Sequence, residues 1–227
     1  MTDENAEPWS DAAIERLRRA AEEVAWLTGR GYPLDTVGDL VARHHGLIEE
    51  QRAALARGTC SEPQYRRRAA RELEGEDVAR RPLSIDAIDA VATVEAALDG
   101  RPVLQTLDGT VRAFGIDRAT YRPGARAEDA LGRVIGAVKE LRPSMLRFLV
   151  DEGAAGAGEL AALVEGRAKA LKAKAEVVRV PDTLKALRKE RQIVTGDADT
   201  LDACAAWFNL VGRVVEAIGN AKIIRLQ

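Results

Sequence analysis

Residues 82–98 read PLSIDAIDAVATVEAAL. The apolar run Leu83–Ile85 stops at Asp86, and apolar residues then recur at helical spacing near 90–98. A short strand leading directly into a helix is half of a βα unit. The same order repeats toward the C-terminus. Apolar runs at Val103–Gln105, Met145–Val150, Val177–Val180, Ile193–Thr195 and Ile223–Leu226 alternate with helical patterns near 127–141, 157–173, 183–190 and 199–205. The alternation predicts an α/β fold, a mostly parallel sheet sandwiched by helices.

Upstream of Pro82 the pattern is helical throughout. Ser10 is placed to cap a first helix carrying Ile14, Leu17, Ala21, Val24 and Leu27, with Gly29 as its stop. Pro33 opens a second, ended by Gly46. A third spans about Ile48 to Arg57. A fourth starts at Ser61, where Ser61 and Gln64 fit a capping box, and runs to near Gly75. The charged, proline-ended stretch GEDVARRP (75–82) is the expected boundary between a helical N-terminal region, 1–78, and an α/β domain, 79–227.

The chain has 227 residues, 34 basic against 36 acidic, a net charge of −2. That balance excludes a polycationic nucleic-acid coat and an acidic tail. Local charge is less even, with basic groups at Arg66–Arg68 with Arg71, at 169–174 and at 185–191. These could follow a phosphate backbone, although charge runs on helices are commonly solvated faces. Cys60 and Cys204 give neither a C-x-x-C zinc site nor a disulfide framework. The start, MTDENAEPWSD, is acidic and lacks an apolar leader, and no stretch is long enough to span a membrane, so a cytoplasmic protein is expected.

Chemistry is suggested by position. Asp86 follows the first strand run, Asp151 and Glu152 follow Leu146–Val150, and Asp197 and Asp199 follow Ile193–Thr195 after Gly196. In a parallel sheet these ends share one edge, where open α/β folds bind ligands. Converging carboxylates repel, and Mg²⁺ or Mn²⁺, which take oxygen ligands, would relieve the repulsion. Glu95, in the next helix, could pair with Asp86 on a metal or be a solvated helical Glu. Each acid equally suits a helix N-cap, because every strand here leads into a helix. Arg112, Tyr121 and Arg122 could meet phosphate oxygens, or lie at the surface of an Arg-rich chain. His44 and His45 suit a helix C-terminus better than a metal site. Phosphate-loop, dinucleotide and G-x-S-x-G motifs are absent.

These residues carry a resemblance. VAWLTGRGYPLDTVGDLVARHHGLIEEQRAALARGTCS (24–61), SIDAIDAVATVEAALDGRPVLQTLDGTVRAFG (84–115), DEGAAGAGEL (151–160), VTGDADTLD (194–202) and Trp207–Leu210 resemble domain of unknown function 434, over nearly the whole chain. The C-terminal part is similar to PIN-like nuclease domains. The family's strand end reads Asp-Gly-aromatic-Asn with a Glu in the following helix. Asp86 and Glu95 match it, and Asp151, Glu159 and Asp197 match later acids. Ala87, Ile88 and Asp89 depart from it, as do Gly196 and the small residues between Asp151 and Glu159.

The resemblance implies a PIN-like, Mg²⁺- or Mn²⁺-dependent nuclease acting on RNA. Asp86, Glu95, Asp151 and Asp197 would be catalytic and would bind metal. Apart from the resemblance, the residues themselves allow Asp89 to add a metal ligand, and Arg112 and Arg122 to bind substrate. The alternatives are a non-catalytic module that binds nucleic acid or protein, and a metal-assisted hydrolase of a small phosphorylated metabolite. No membrane partner is expected, and the oligomeric state is left open, a homodimer included.

Overall fold

The computed structural model describes residues 7–227, so MTDENA, the acidic start, lies outside the described residues. In chain order the elements are α1 (Asp11–Thr28), α2 (Leu34–His44), α3 (Glu49–Gly58), α4 (Glu62–Ala69), β1 (Pro82–Asp86), α5 (Ala87–Leu98), β2 (Val103–Gln105), β3 (Val111–Ala113), α6 (Ala127–Lys139), β4 (Met145–Asp151), α7 (Ala157–Ala170), β5 (Ala175–Val180), α8 (Thr183–Leu187), β6 (Ile193–Val194), α9 (Ala198–Ala203), α10 (Leu210–Glu216) and β7 (Ile223–Arg225). They form two compact units. One holds the chain up to Ala70 with Leu104–Thr110 and Ile223–Gln227. The other holds Arg71–Val103 and Val111–Lys222.

The helical unit is built as its caps direct. Ser10 accepts the Ala13 N–H at the start of α1, and Gly29 closes the helix. Leu17, Ala20, Ala21 and Val24 are buried on one stripe, as are Val37 and Val41 of α2 and Ala54 and Leu55 of α3. At α4 the Ser61 N–H donates to Gln64 Oε1 at 3.0 Å, and Ser61 Oγ takes the Gln64 N–H at 3.4 Å. Such a cap is worth about 1 kcal/mol. The later segment supplies a turn in which Thr106 N–H bonds Thr110 O at 2.9 Å, with Gly109 at φ 83°.

Two expectations are corrected here. The fourth helix ends at Ala69 rather than near Gly75. In the α/β unit the backbone of Arg71–Leu73 instead pairs with Trp207, through Trp207 N–H to Arg71 O and Leu73 N–H to Trp207 O. The Arg66–Arg68 run is also no continuous basic face. Arg66 pairs with Glu62 at 2.7 Å, while Arg68 is buried against Asp108.

The α/β unit contains a four-stranded parallel sheet in the order β5-β4-β1-β6. Leu83, Ser84, Ile85 and Asp86 are all buried, and successive strand residues face opposite ways, so β1 is covered on both faces. Leu149, Leu187, Ile193, Leu201, Cys204 and Trp207 form one core cluster beside it. The helix α10, capped by Asn209, was not expected from the sequence. The chain adds β4 and β5 on one side of β1 and then returns to add β6 on the other. That reversal beside β1 is where open α/β sheets leave a crevice at their C-terminal edge. No helix among the described residues is long and apolar enough to cross a membrane.

Candidate functional site

Asp86 and Asp151 are the last residues of β1 and β4, which are neighbours. The register sets Asp86 opposite Leu149, so Asp151 stands two residues farther along the same edge. On the other side, Ile85 pairs with Val194, which carries Thr195 alongside Asp86. Thr195 Oγ1 donates to Asp86 Oδ2 at 3.2 Å. Asp86 Oδ1 accepts the Asp89 N–H at 3.2 Å and so caps α5. One carboxylate therefore serves as cap and as site.

Arg118, from the segment joining β3 to α6, joins the two acids. Its Nη1 donates to Asp86 Oδ2 at 2.9 Å, and its Nε and Nη2 donate to Asp151 Oδ2 at 3.0 and 2.6 Å. The other oxygen, Asp151 Oδ1, takes the Thr183 N–H at 2.7 Å. Asp86 is 0% exposed. Burial pushes its carboxyl above the usual range, and Arg118 opposes that shift by charge and hydrogen bond. Burial also works against the charge on Arg118, but Asp86 and Asp151 outweigh it and hold the guanidinium more firmly protonated than usual. Thr183 and Thr200 carry buried hydroxyls with no hydrogen-bond partner among the described residues.

Asp89 joins the cluster through Gly196, whose N–H donates to Asp89 Oδ2 at 2.6 Å. A Cβ at residue 196 would stand 3.0 Å from Arg112 Cγ and 3.3 Å from Asp89 Oδ2, so glycine lets both side chains close in. Burial and then the charge of Asp86 push Asp89 up to about 6, against the pull of Gly196 and Arg112.

The other expected residues have different partners. Glu95 is buried, with Oε2 taking the Tyr121 hydroxyl at 2.8 Å and Oε1 the Gly124 N–H at 2.9 Å. Burial raises its pKa, while those two donors lower it. Asp197 Oδ1 caps α9 by accepting the Thr200 N–H at 2.8 Å, and its own N–H donates to Thr195 Oγ1. Arg122 pairs with Glu159 at 2.7 Å, both exposed. Sequence reasoning missed Arg118, Thr183 and Thr195. A signal for the first did exist, because a buried acid beside a second, half-buried one on the same edge calls for a cation nearby.

A family model described as Domain of unknown function (DUF5616) matches residues 75–213. The chain belongs to that family. The model of DUF434, a protein family of unknown function, matches residues 16–71. The resemblance extended above over nearly the whole chain thus divides between two families, with DUF5616 covering the site. An uncharacterized protein of Methanocaldococcus jannaschii is 22% identical over 182 residues, covering 80% of this chain and 87% of its own. No solved structure matches.

Within the DUF5616 region, the Asp86–Arg118–Asp151 bridge defines what the edge can hold. Both carboxylates already share one positive group, so the donor set accepts a cation. Among the described residues, no three His, Cys, Asp or Glu side chains are grouped to hold a metal ion. Mg²⁺, however, is commonly held by one or two carboxylates together with waters and substrate phosphates. An Asp86–Asp151 pair meets that requirement in hard oxygen ligands.

Proposed function

We propose that this protein is a divalent-metal-dependent phosphodiester hydrolase of PIN-like type, with RNA as its substrate. The observation that carries the reading is the convergence of Asp86 and Asp151, from neighbouring parallel strands, on one cationic group. Asp86 and Asp151 would hold Mg²⁺ or Mn²⁺. The ion would supply ionised water near neutral pH and stabilise charge on phosphoryl oxygens. The chain's own groups do the positioning. Thr195 and the Asp89 N–H orient Asp86, and the Thr183 N–H orients Asp151. Arg112, beside Gly196, offers a guanidinium for a phosphate oxygen.

The test is Asp151→Asn, assayed on RNA with Mn²⁺. Loss of cleavage beyond the roughly 10–100-fold expected for a residue that only orients a ligand supports the reading. Full cleavage by a variant of unchanged stability overturns it. A phosphatase screen in parallel separates RNA from a small phosphorylated metabolite. One observation favours a second reading, a binding module without catalysis: Arg118 already supplies the acid pair with a positive charge. No heat from millimolar Mn²⁺ in calorimetry would select that module.

A further inference from the structure

We infer that Arg118 is a tethered counter-ion that occupies the place of the divalent cation and must leave the Asp86–Asp151 pair before the cation binds. This autoinhibitory contact rests on the metal-dependent reading above and adds its regulation. Arg118 spends three donors on two carboxylates of the site. No helix or strand carries it, since it lies between β3 and α6. Its side chain is 29% exposed while that of Asp86 is 1% exposed, so the guanidinium covers the buried acid from the solvent side.

The backbone around it is pinned. The Ala155 N–H bonds Ala119 O, and the Gly156 N–H bonds Tyr121 O, both at 2.9 Å. Tyr121 and Gly124 are further tied to Glu95. Asp117 Oδ1 takes the Ala119 N–H at 3.0 Å. Release is therefore a swing of one long side chain, with the segment after it held in place. The acids keep their orienting donors when the guanidinium goes, because Thr195, Thr183 and the Asp89 N–H all remain. Thr183 also brings a buried hydroxyl, unpartnered among the described residues, on the residue whose N–H holds Asp151. An ion entering the pair thus finds oriented ligands and has Arg118 as the cation to displace. Its apparent affinity is lowered by the fraction of molecules in which Arg118 is bound.

The experiment is Mn²⁺ calorimetry on the wild-type chain and on Arg118→Gln, with Mg²⁺ titration of the wild type followed at the Arg118 Nε–H by NMR. The expected result is binding about tenfold or more tighter in Arg118→Gln. In the wild type, the Arg118 Nε–H resonance moves with the midpoint of Mg²⁺ binding. Equal affinity in both proteins, or Mg²⁺ binding with that resonance unmoved, overturns the inference and leaves the metal-dependent reading standing. Binding in neither protein overturns both. If Arg118→Gln fails to fold, the wild-type titration decides alone.

Discussion

Two arginines in this chain are each held by a buried carboxylate, Arg68 by Asp108 and Arg118 by Asp86, to which the half-buried Asp151 adds a second. In the helical unit, Arg68 Nη1 meets Asp108 Oδ2 at 2.5 Å, and both side chains are 2% exposed. Asp108 Oδ1 also accepts from the Thr106 and Thr110 hydroxyls and from the Thr110 N–H. That pair is enclosed, and its acceptors are filled by neighbours two residues away. In the α/β unit, the acids stand at the ends of neighbouring strands, and the arginine reaches them from an irregular segment while staying partly in water. The contrast separates an ion pair that closes a fold from one that can be exchanged. The first is closed off from solvent, and the second has a partly solvent-facing cation over oriented acids.

The largest effect should come from breaking the enclosed pair. Asp108→Ala leaves Arg68 buried without its carboxylate, which costs about 3–5 kcal/mol. Urea unfolding should show the loss as a lower midpoint. A cost below about 1 kcal/mol would mean that Arg68 finds water on release, and the two arginines would then be of one kind.

The legibility of the two regions differs for the same reason. Strand and helix starts were readable because Asp86, Ser61 and Ser10 cap locally, within three residues of their partners. Asp86, Asp151 and Asp197 were readable as acids of one edge because parallel strands end on the same side, whereas the pairing of β1 with β4 was not. Nor was Arg118. Arg112, Arg118, Arg122 and Arg126 lie within one stretch, and spacing does not say which of them reaches the acids. The end of α4 was misjudged because Trp207, far away in sequence, takes the backbone of residues 71–73. Two departures from the family pattern were legible singly but not as a pair. Asp89 and Gly196 meet, with the glycine N–H filling the extra carboxylate oxygen.

Asp89 sharpens the comparison by pH. Its pKa stands at about 6 in the folded chain, against an ordinary 3.8. Between those values the folded chain binds a proton that the unfolded chain has released. The stabilisation from that proton is complete below about pH 4, fades as pH rises, and is gone above about 6. In metal-free buffer, Asp89→Asn should flatten this part of the curve of stability against pH. An unchanged slope would show that Asp89 is not burdened by burial and by the charge of Asp86, and that Arg118 neutralises the edge more completely than the geometry implies.

The smallest effect tests whether the third strand-end acid belongs with the exchangeable cluster or with the local, closed kind of contact. Asp197 spends Oδ1 on the Thr200 N–H as the cap of α9, and reaches the cluster through its own N–H on Thr195. A cap of this type is worth about 1 kcal/mol. Asp197→Ala should therefore lower stability by about that amount, while Asp197→Asn, whose amide oxygen still caps, should lower it by less. Neither should change Mn²⁺ affinity by more than a few-fold. Asn keeps the acceptor but loses the charge, so the pair of variants separates the two roles. If Asp197→Asn folds as well as the wild type yet loses Mn²⁺ binding, Asp197 is a ligand whose charge the ion needs. The cation site would then span three strands, and Arg118, which bridges only two, would block just part of it.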